Sequence, residues 1–453
     1  MLWLTRLLIA RGLASIYLIA FIVARNQFIP LCGQNGLLPV PEYLKRIKFW
    51  QAPSIFHFYY SDRFASIFIW VGICLSLLNL SGFADKGGLY LYTLTWFLLW
   101  AIYLSFVNVG QTFYAFGWES LLLETGFLAI FLGPSSMEPS VIVIWLMRWV
   151  LFRVMFGAGL IKLRGDRCWR DLTCLVYHYE TQPMPNPLSY YLHRLPVWFH
   201  KAEVLATHAI ELVLPFFYFA PYPIADVAGV ITILFQVTLI ASGNLSWLNY
   251  LTIVLCFSCL GGSTLTWFPM ATPLPILLLL CLVAALSIRP IVNMISSRQL
   301  MNASFDPLHL VNTYGAFGSV EKQRFEVIIE GTEALQIDQA TIWHAYEFRA
   351  KPGDINRRPP FVAPYHLRLD WLMWFAAMSN PYFHPWFLRL IEKLLSADKQ
   401  VLKLLAKDPF CGTPPMFVRA RLYRYQFALE NLAGKNWWKR TIVSEYLPPV
   451  RRD

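Results

Sequence analysis

Ser140–Ile161 reads SVIVIWLMRWVLFRVMFGAGLI and is apolar throughout except for Arg148 and Arg153. A run of about 20 such residues is what an α-helix needs to cross the hydrocarbon layer of a bilayer. A charge facing lipid there costs about 2.5–3.5 kcal/mol or more. The two arginines therefore predict a helix that turns a polar face toward partners inside a bundle.

Comparable segments lie at 4–24, 63–80, 88–107, 116–133, 203–221, 224–242, 246–262 and 271–288, which predicts a polytopic α-helical membrane protein of about nine spanning helices. Composition agrees: 57% of the 453 residues are hydrophobic and only 14% charged, against about 25% charged in soluble domains. The charges crowd into a few loops and the last third of the chain. Segment 4–24 is interrupted by Arg11 and is followed by no small-residue cleavage site, so it is expected to be an uncleaved first helix. The net charge of +11 fits lysines and arginines flanking spans at phospholipid headgroups. No basic run suits nucleic-acid reading.

Residues 1–290 are expected to form the membrane domain, with large loops at 25–62 and 162–202, and residues 291–453 a C-terminal α+β extramembrane domain. If the spans alternate, these loops and the tail share one face, which collects nearly all the loop charge. Positive-inside bias alone would make that face cytoplasmic. In the tail, Arg324–Glu330 and Thr341–Arg349 alternate like strands, with turn chemistry at Lys351–Asp354, and helices are expected at about 364–378, 384–395 and 398–406.

Several stretches carry a resemblance: RGLASIYLIAF with GQNGLLPV, then FGWESLLLETGFLAIFL (Phe116–Leu132), LMRWVLFRVMFGAGLIKLRGDRCWRDLTCLVYHYETQPMPNPLSYYLHRLP (Leu146–Pro196), NTYGAFGSV (Asn312–Val320), YEFRAKPGDINRRP (Tyr346–Pro359), PYHLRLDWLMWFAA (Pro364–Ala377), LYRYQF and EYLPP. In order and spacing the chain resembles the lipase maturation factors. That resemblance implies a membrane-embedded folding factor for secreted lipases, resident in the endoplasmic reticulum membrane in animals, or in the inner (plasma) membrane of a bacterium. It also implies that the middle loop and C-terminal region face the extracytoplasmic side. On orientation the family expectation is preferred over charge bias. The implied partners are the bilayer and a client lipase or other secreted protein, with no cofactor and no nucleic acid.

A more distant similarity is to the vitamin K-dependent γ-carboxylases, whose G-x-K-K-L segment aligns with Gly159-Leu-Ile-Lys162-Leu. Lys162 there would act as a base, because apolar walls lower a lysine's proton affinity; the alternatives are a lysine reaching to headgroups or an ion pair. Gly157, Ala158 and Gly159 allow another backbone to approach. Glu119, Glu124, Arg148, Arg153 and Glu211, with His208 on the helical face of Glu211, should face inward, as a structural ion-pair network or as a functional polar cavity. Tyr177, His178, Tyr179 and Glu180 open a proline-rich stretch that prolines would hold extended. It is read either as a client- or lipid-binding loop or as a packed lid. Trp371 and Trp374 fit an interfacial helix or a buried core. Cys168 and Cys174 permit a disulfide if their face is oxidising, with free thiols the alternative. Cys256 and Cys259 have C-x-x-C spacing but lie in an apolar span, where packing is expected. No metal-site spacing links the histidines and cysteines, and no G-x-S-x-G elbow is present. A folding factor and a membrane-interface enzyme built on Lys162 are the two functional readings; a transporter is weaker, because no matching pair of broken helices is visible.

Overall fold

The computed structural model describes residues 2–260, 272–428 and 436–452. Among the described residues, seven helices are long and apolar enough to cross a membrane: α1 (Leu2–Cys32), α2 (Asp62–Ser81), α3 (Gly88–Val109), α5 (Val141–Arg164), α6 (Val197–Phe219), α7 (Ile224–Ser242) and α9 (Leu274–Ile295). The other two expected spans are shorter. Segment 116–133 contains α4 (Gly117–Ala129), and 246–262 contains α8 (Leu248–Cys259), its last two residues lying outside the described ones. At 1.5 Å per residue, α4 covers only about 20 Å, but both short helices reach the depth of the α1 N-terminus. Beyond α4, the Pro134 carbonyl accepts from Arg6 at 2.7 Å. Beyond α8, the Leu260 carbonyl accepts from Thr5 at 2.6 Å.

Irregular backbone inside a bundle is tolerated where side chains satisfy its polar groups. Arg148 does this for α8, donating to the carbonyls of Ser258 (2.8 Å) and Cys259 (3.3 Å) and to that of Tyr218 (2.9 Å) at the end of α6. Helix α6 is itself irregular: it widens to a π turn over Ala209–Val213 and tightens to 3-10 over Leu214–Phe219. Pro215 has no N–H to continue the ladder, which accounts for the break.

Helix α1 runs eight residues past its expected end at residue 24. The extension carries Gln27 into the C-terminal region, where its side chain bonds the His366 carbonyl (2.6 Å) and the Arg368 amide (2.9 Å). That region contains a four-stranded antiparallel sheet of order β2-β1-β3-β4, from β1 (Arg324–Thr332), β2 (His344–Ala345), β3 (Phe417–Phe427) and β4 (Trp438–Arg451). Val327 pairs with Leu422, and Leu422 with Ser444. The fold is thus a polytopic helical membrane protein with a C-terminal α+β domain.

Several local expectations change. The strand read over 341–349 shrinks to His344–Ala345, because after Tyr346, whose amide still donates to the Ile329 carbonyl, the chain leaves the sheet and Glu347 pairs with Lys407 instead. The helix read over 398–406 is one turn, Lys399–Leu402, capped by Asp398. Helices α10 (Arg368–Ala376) and α11 (Pro385–Leu395) form as expected, α11 burying Phe387, Leu390, Ile391 and Leu394 on one face.

Candidate functional site: a polar seam between membrane and C-terminal domains

Glu119 and Glu124, two buried acids of the bundle, meet the C-terminal domain along one seam. Glu119, in the first turn of α4, receives Arg368 Nη1 at 2.6 Å and the Tyr103 hydroxyl. Arg368 also donates to the Phe113 carbonyl and stacks 3.5 Å from the Tyr114 ring centre. Beside it His366 is fully buried within an aromatic box of Phe116, Trp118, Trp247 and Trp371. Burial, reinforced by Arg368, holds that imidazole well below its ordinary pKa. A neutral ring among π-faces is the physical result.

One turn along α4, Glu124 binds Arg153 of α5 and receives the Asn312 amide (3.0 Å), the Asn312 side chain (3.0 Å) and the Tyr314 hydroxyl (2.6 Å). Arg153 donates in turn to the Asn312 carbonyl at 2.7 Å. Gly157 permits this docking: a Cβ there would collide with the Tyr314 carbonyl oxygen. Gly159 likewise lets Leu212 and Glu211 of α6 approach, so the small-residue stretch receives neighbours on two sides.

Lys162 donates to both carboxylate oxygens of Glu211, 2.6 Å to Oε2, with both side chains buried. Trp169 lies over the ammonium at 5.4 Å, and the Trp169 carbonyl lies 3.1 Å from His208 Nε2. Cys168 and Cys174 are joined in a disulfide, Cα–Cα 4.8 Å, that ties down this covering loop. Lys162, His208 and Glu211 therefore come together with Trp169, but the lysine is committed to a carboxylate rather than open to a substrate. Among the described residues, no group of three His, Cys, Asp or Glu could hold a metal ion.

The Tyr177–Glu180 stretch is not an extended loop. It lies in a short helix, Cys174–Thr181, and the chain is buried from Tyr179 through Pro187. The reason is Arg324, whose guanidinium gathers the carbonyls of Glu180 (2.9 Å), Gln182 and Pro183 (3.0 Å) while binding Glu326. The Tyr179 hydroxyl donates to Glu203 at 2.9 Å, His178 packs on Phe317, and Glu180 accepts from the Phe427 amide at 2.8 Å. Burial raises the Glu180 carboxyl above its ordinary pKa, against the Phe427 amide and the nearby Arg324 and Arg424. Trp371 is 4% exposed against Trp118, a core position; Trp374 is half-buried and donates to the Thr181 carbonyl at 3.0 Å.

Residues 4–267 match the family model of the lipase maturation factor transmembrane domain, and residues 310–448 that of the lipase maturation factor C-terminal domain. The chain belongs to the lipase maturation factor family. It is 45% identical to lipase maturation factor 1 of Mus musculus, over 99% of this chain and 87% of that protein, and 44% identical to its Homo sapiens counterpart, over 99% and 88%. Lipase maturation factor 2 of Xenopus laevis is 32% identical, over 98% and 82%. No solved structure matches.

From the sequence the bundle charges of this family member are either an ion-pair network or a polar cavity. Two pairs form within the bundle, Glu124 with Arg153 and Glu211 with Lys162. Glu119 instead takes its arginine from the C-terminal domain, and Arg148 binds carbonyls rather than a carboxylate. Asn312, Tyr314, Arg324 and His366 were not singled out as site residues. A signal existed for Arg368, a cation opening the apolar run Leu369–Ala377.

Proposed function

We propose that this chain is a membrane-embedded maturation factor for lipases, acting on client lipase or a lipase-like secreted protein as it folds on the extracytoplasmic side. The observation that carries this reading is near full-length identity of 44–45% to lipase maturation factor 1 proteins. The geometry supports a scaffold over an enzyme: Glu119, Glu124, Glu211, Lys162 and Arg153 are all consumed in ion pairs within the fold. Nothing favours Lys162 as a carboxylase-type base.

Residence in the endoplasmic reticulum membrane of a eukaryotic cell, with the C-terminal domain in the lumen, is part of the proposal. The Cys168–Cys174 disulfide supports it, because disulfides persist in oxidising compartments. The test is co-expression with a secreted lipase in cells whose own maturation factor is deleted. The lipase should leave the cell with restored activity per unit mass. Secretion of inactive lipase beside a normally inserted chain would refute the function.

A further inference from the structure

Three Asn-x-Ser sequences occur in the chain: Asn79-Leu-Ser81, Asn244-Leu-Ser246 and Asn302-Ala-Ser304. This spacing is the acceptor pattern for an N-linked glycan, and the fold separates the three. Asn79 is buried near the end of α2, where Nδ2 donates to the Leu75 carbonyl at 2.9 Å and Oδ1 accepts from Thr95. Helix α2 starts beside the end of α1, where Asp62 accepts the Gln34 amide at 2.8 Å. That is the side of the C-terminal domain, so Asn79 lies toward the opposite face. Asn244 is buried in the turn between α7 and α8. Its Nδ2 donates to the Met184 and Pro360 carbonyls (3.2 and 2.9 Å), and its Oδ1 accepts the Val362 amide at 2.8 Å. No sugar fits on that nitrogen in the folded protein.

Asn302 is the exception. It is exposed, on the segment that leaves α9 for the C-terminal domain, and its backbone is left-handed at φ 52°, which asparagine tolerates in turns. Oδ1 faces inward. It accepts the Gly315 amide at 3.3 Å and packs so closely on α4 that a Cβ at Gly117 would collide with it. Only the oxygen of the carboxamide can accept from an N–H, which fixes the nitrogen on the other side. Among the described residues, the Gly315 contact is the one hydrogen bond of this side chain. A glycan on Nδ2 therefore leaves the inward contacts intact. Reach during synthesis points the same way. Asn302 lies seven residues beyond the end of α9 at Ile295 and fourteen beyond its apolar run at 288, so the still extended chain carries it roughly 23–46 Å from the bilayer. Asn244 follows the last residue of α7, Ser242, by two, a reach of about 7 Å.

We infer that Asn302 is the acceptor of an N-linked glycan, added as the chain emerges into the lumen. This deepens the maturation-factor reading and rests on it for the lumenal placement of the C-terminal domain. The donor is a lipid-pyrophosphate-linked oligosaccharide. Asn302 Nδ2 attacks its anomeric carbon, and the C–N bond forms as the C–O bond to pyrophosphate breaks. The lipid pyrophosphate leaves with that electron pair, and one Nδ2 proton passes to a base of the transferase. Ser304 supplies the hydroxyl of the acceptor sequence; once folded, it donates to the Asp306 carbonyl at 2.7 Å. The glycan then stands on the outer side of the joint where Gly117 and Gly315 pack against Asn302.

The full chain, epitope-tagged, is expressed in mammalian cells, and its gel mobility is compared before and after digestion with peptide N-glycosidase. Digestion should shift the wild type by the step of one glycan. Asn302→Gln and Ser304→Ala should each lose the whole step and run at the digested position from the start. Ser304→Thr, Asn79→Gln and Asn244→Gln should keep it. Digestion in heavy-oxygen water should leave labelled aspartate at position 302. Mobility reads attachment whether or not a variant reaches the native fold, so misfolding does not hide the result. A companion chain carries an added Asn-Gly-Thr acceptor on a Gly/Ser linker after Asp453. Modification of the added acceptor beside an unmodified Asn302 overturns the inference and leaves the lumenal placement standing. Failure of both acceptors overturns the inference together with that placement. A step lost in Asn244→Gln and kept in Asn302→Gln overturns it in favour of Asn244.

Discussion

Arg368 Nη1 donates to Glu119 Oε1 at 2.6 Å across 249 residues of sequence, and neither side chain is exposed to solvent. Removing one partner of a buried pair strands the other charge, at about 3–5 kcal/mol. Arg368→Ala should therefore lower the melting temperature of the detergent-solubilised protein sharply. Arg368→Met with Glu119→Gln should recover most of the loss. A double variant as unstable as the single one would show that the pair itself is not what matters.

Lys162 and Glu211 allow the same design with a functional readout. Lys162→Met alone leaves a buried carboxylate and should cut expression and client activation together. Lys162→Met with Glu211→Met removes both charges at similar volume, and lipase activity per folded molecule should return. Lasting loss of activity in a well-folded double variant would restore the case for Lys162 as a chemical participant.

Gly157→Ala tests how the segment around Tyr314 docks on α5. The new methyl group meets backbone oxygen, which cannot swing aside as a side-chain tip can. Overpacking of this kind costs about 1–3 kcal/mol. Proteolysis should show residues 312–320 loosened before the rest of the chain unfolds.

The disulfide closes a short loop, Cys168 to Cys174, and chain entropy gives it about 2 kcal/mol. Its loss in Cys168→Ser with Cys174→Ser should loosen Trp169 over Lys162. Maleimide should label the exposed Cys411 from the lumenal side of sealed microsomes only after permeabilisation, and the Cys168–Cys174 pair only after reduction. Labelling of Cys411 in intact microsomes would place the C-terminal domain in the cytoplasm.

His178 and His193 titrate unusually. Burial pushes each imidazole down to about 4, helped by Lys162 for His178 and by His200 for His193. Between about 6.5 and 4 the unfolded chain takes up protons that the folded chain refuses, so this stability is present above pH 6.5 and falls as pH drops. Glu180, with its pKa raised by burial, works in the opposite sense, its contribution lost as pH rises. The informative quantity is a difference: between pH 7 and pH 5 the melting temperature of His178→Gln should fall less steeply than that of the wild type.

Much of this was legible in the residues because hydrophobic length is a local property. The nine apolar segments, the inward turn of Arg148 and Arg153, and α11 with its stripe all follow from periods within one stretch. Pairings were not legible, since nothing local to Glu119 announces a guanidinium 249 residues later. Strand β4 is not legible for a different reason. Its central residues are exposed on both faces, so the alternation that marks a half-buried strand is missing. In β3, Val418, Ala420 and Leu422 do alternate with Arg419 and Arg421, but the apolar phase flips at Leu422–Tyr423, after which Tyr423, Tyr425 and Phe427 take the other positions. In the Tyr177–Pro187 stretch the prolines suggest a solvated extended chain, whereas the carbonyls of Glu180, Gln182 and Pro183 serve here as acceptors for Arg324.

The reach of Gln27, Asn312 and Arg368 across the seam also sets a clock on biosynthesis. When α4 first enters the bilayer, the arginine that will neutralise Glu119 has not been translated; at ribosomal speeds it follows on the order of 10–50 s later. Until then the newborn bundle carries an acid with no countercharge. A polypeptide released early would keep that acid permanently, so the finished molecule and the aborted one differ in a feature that membrane quality control can sense.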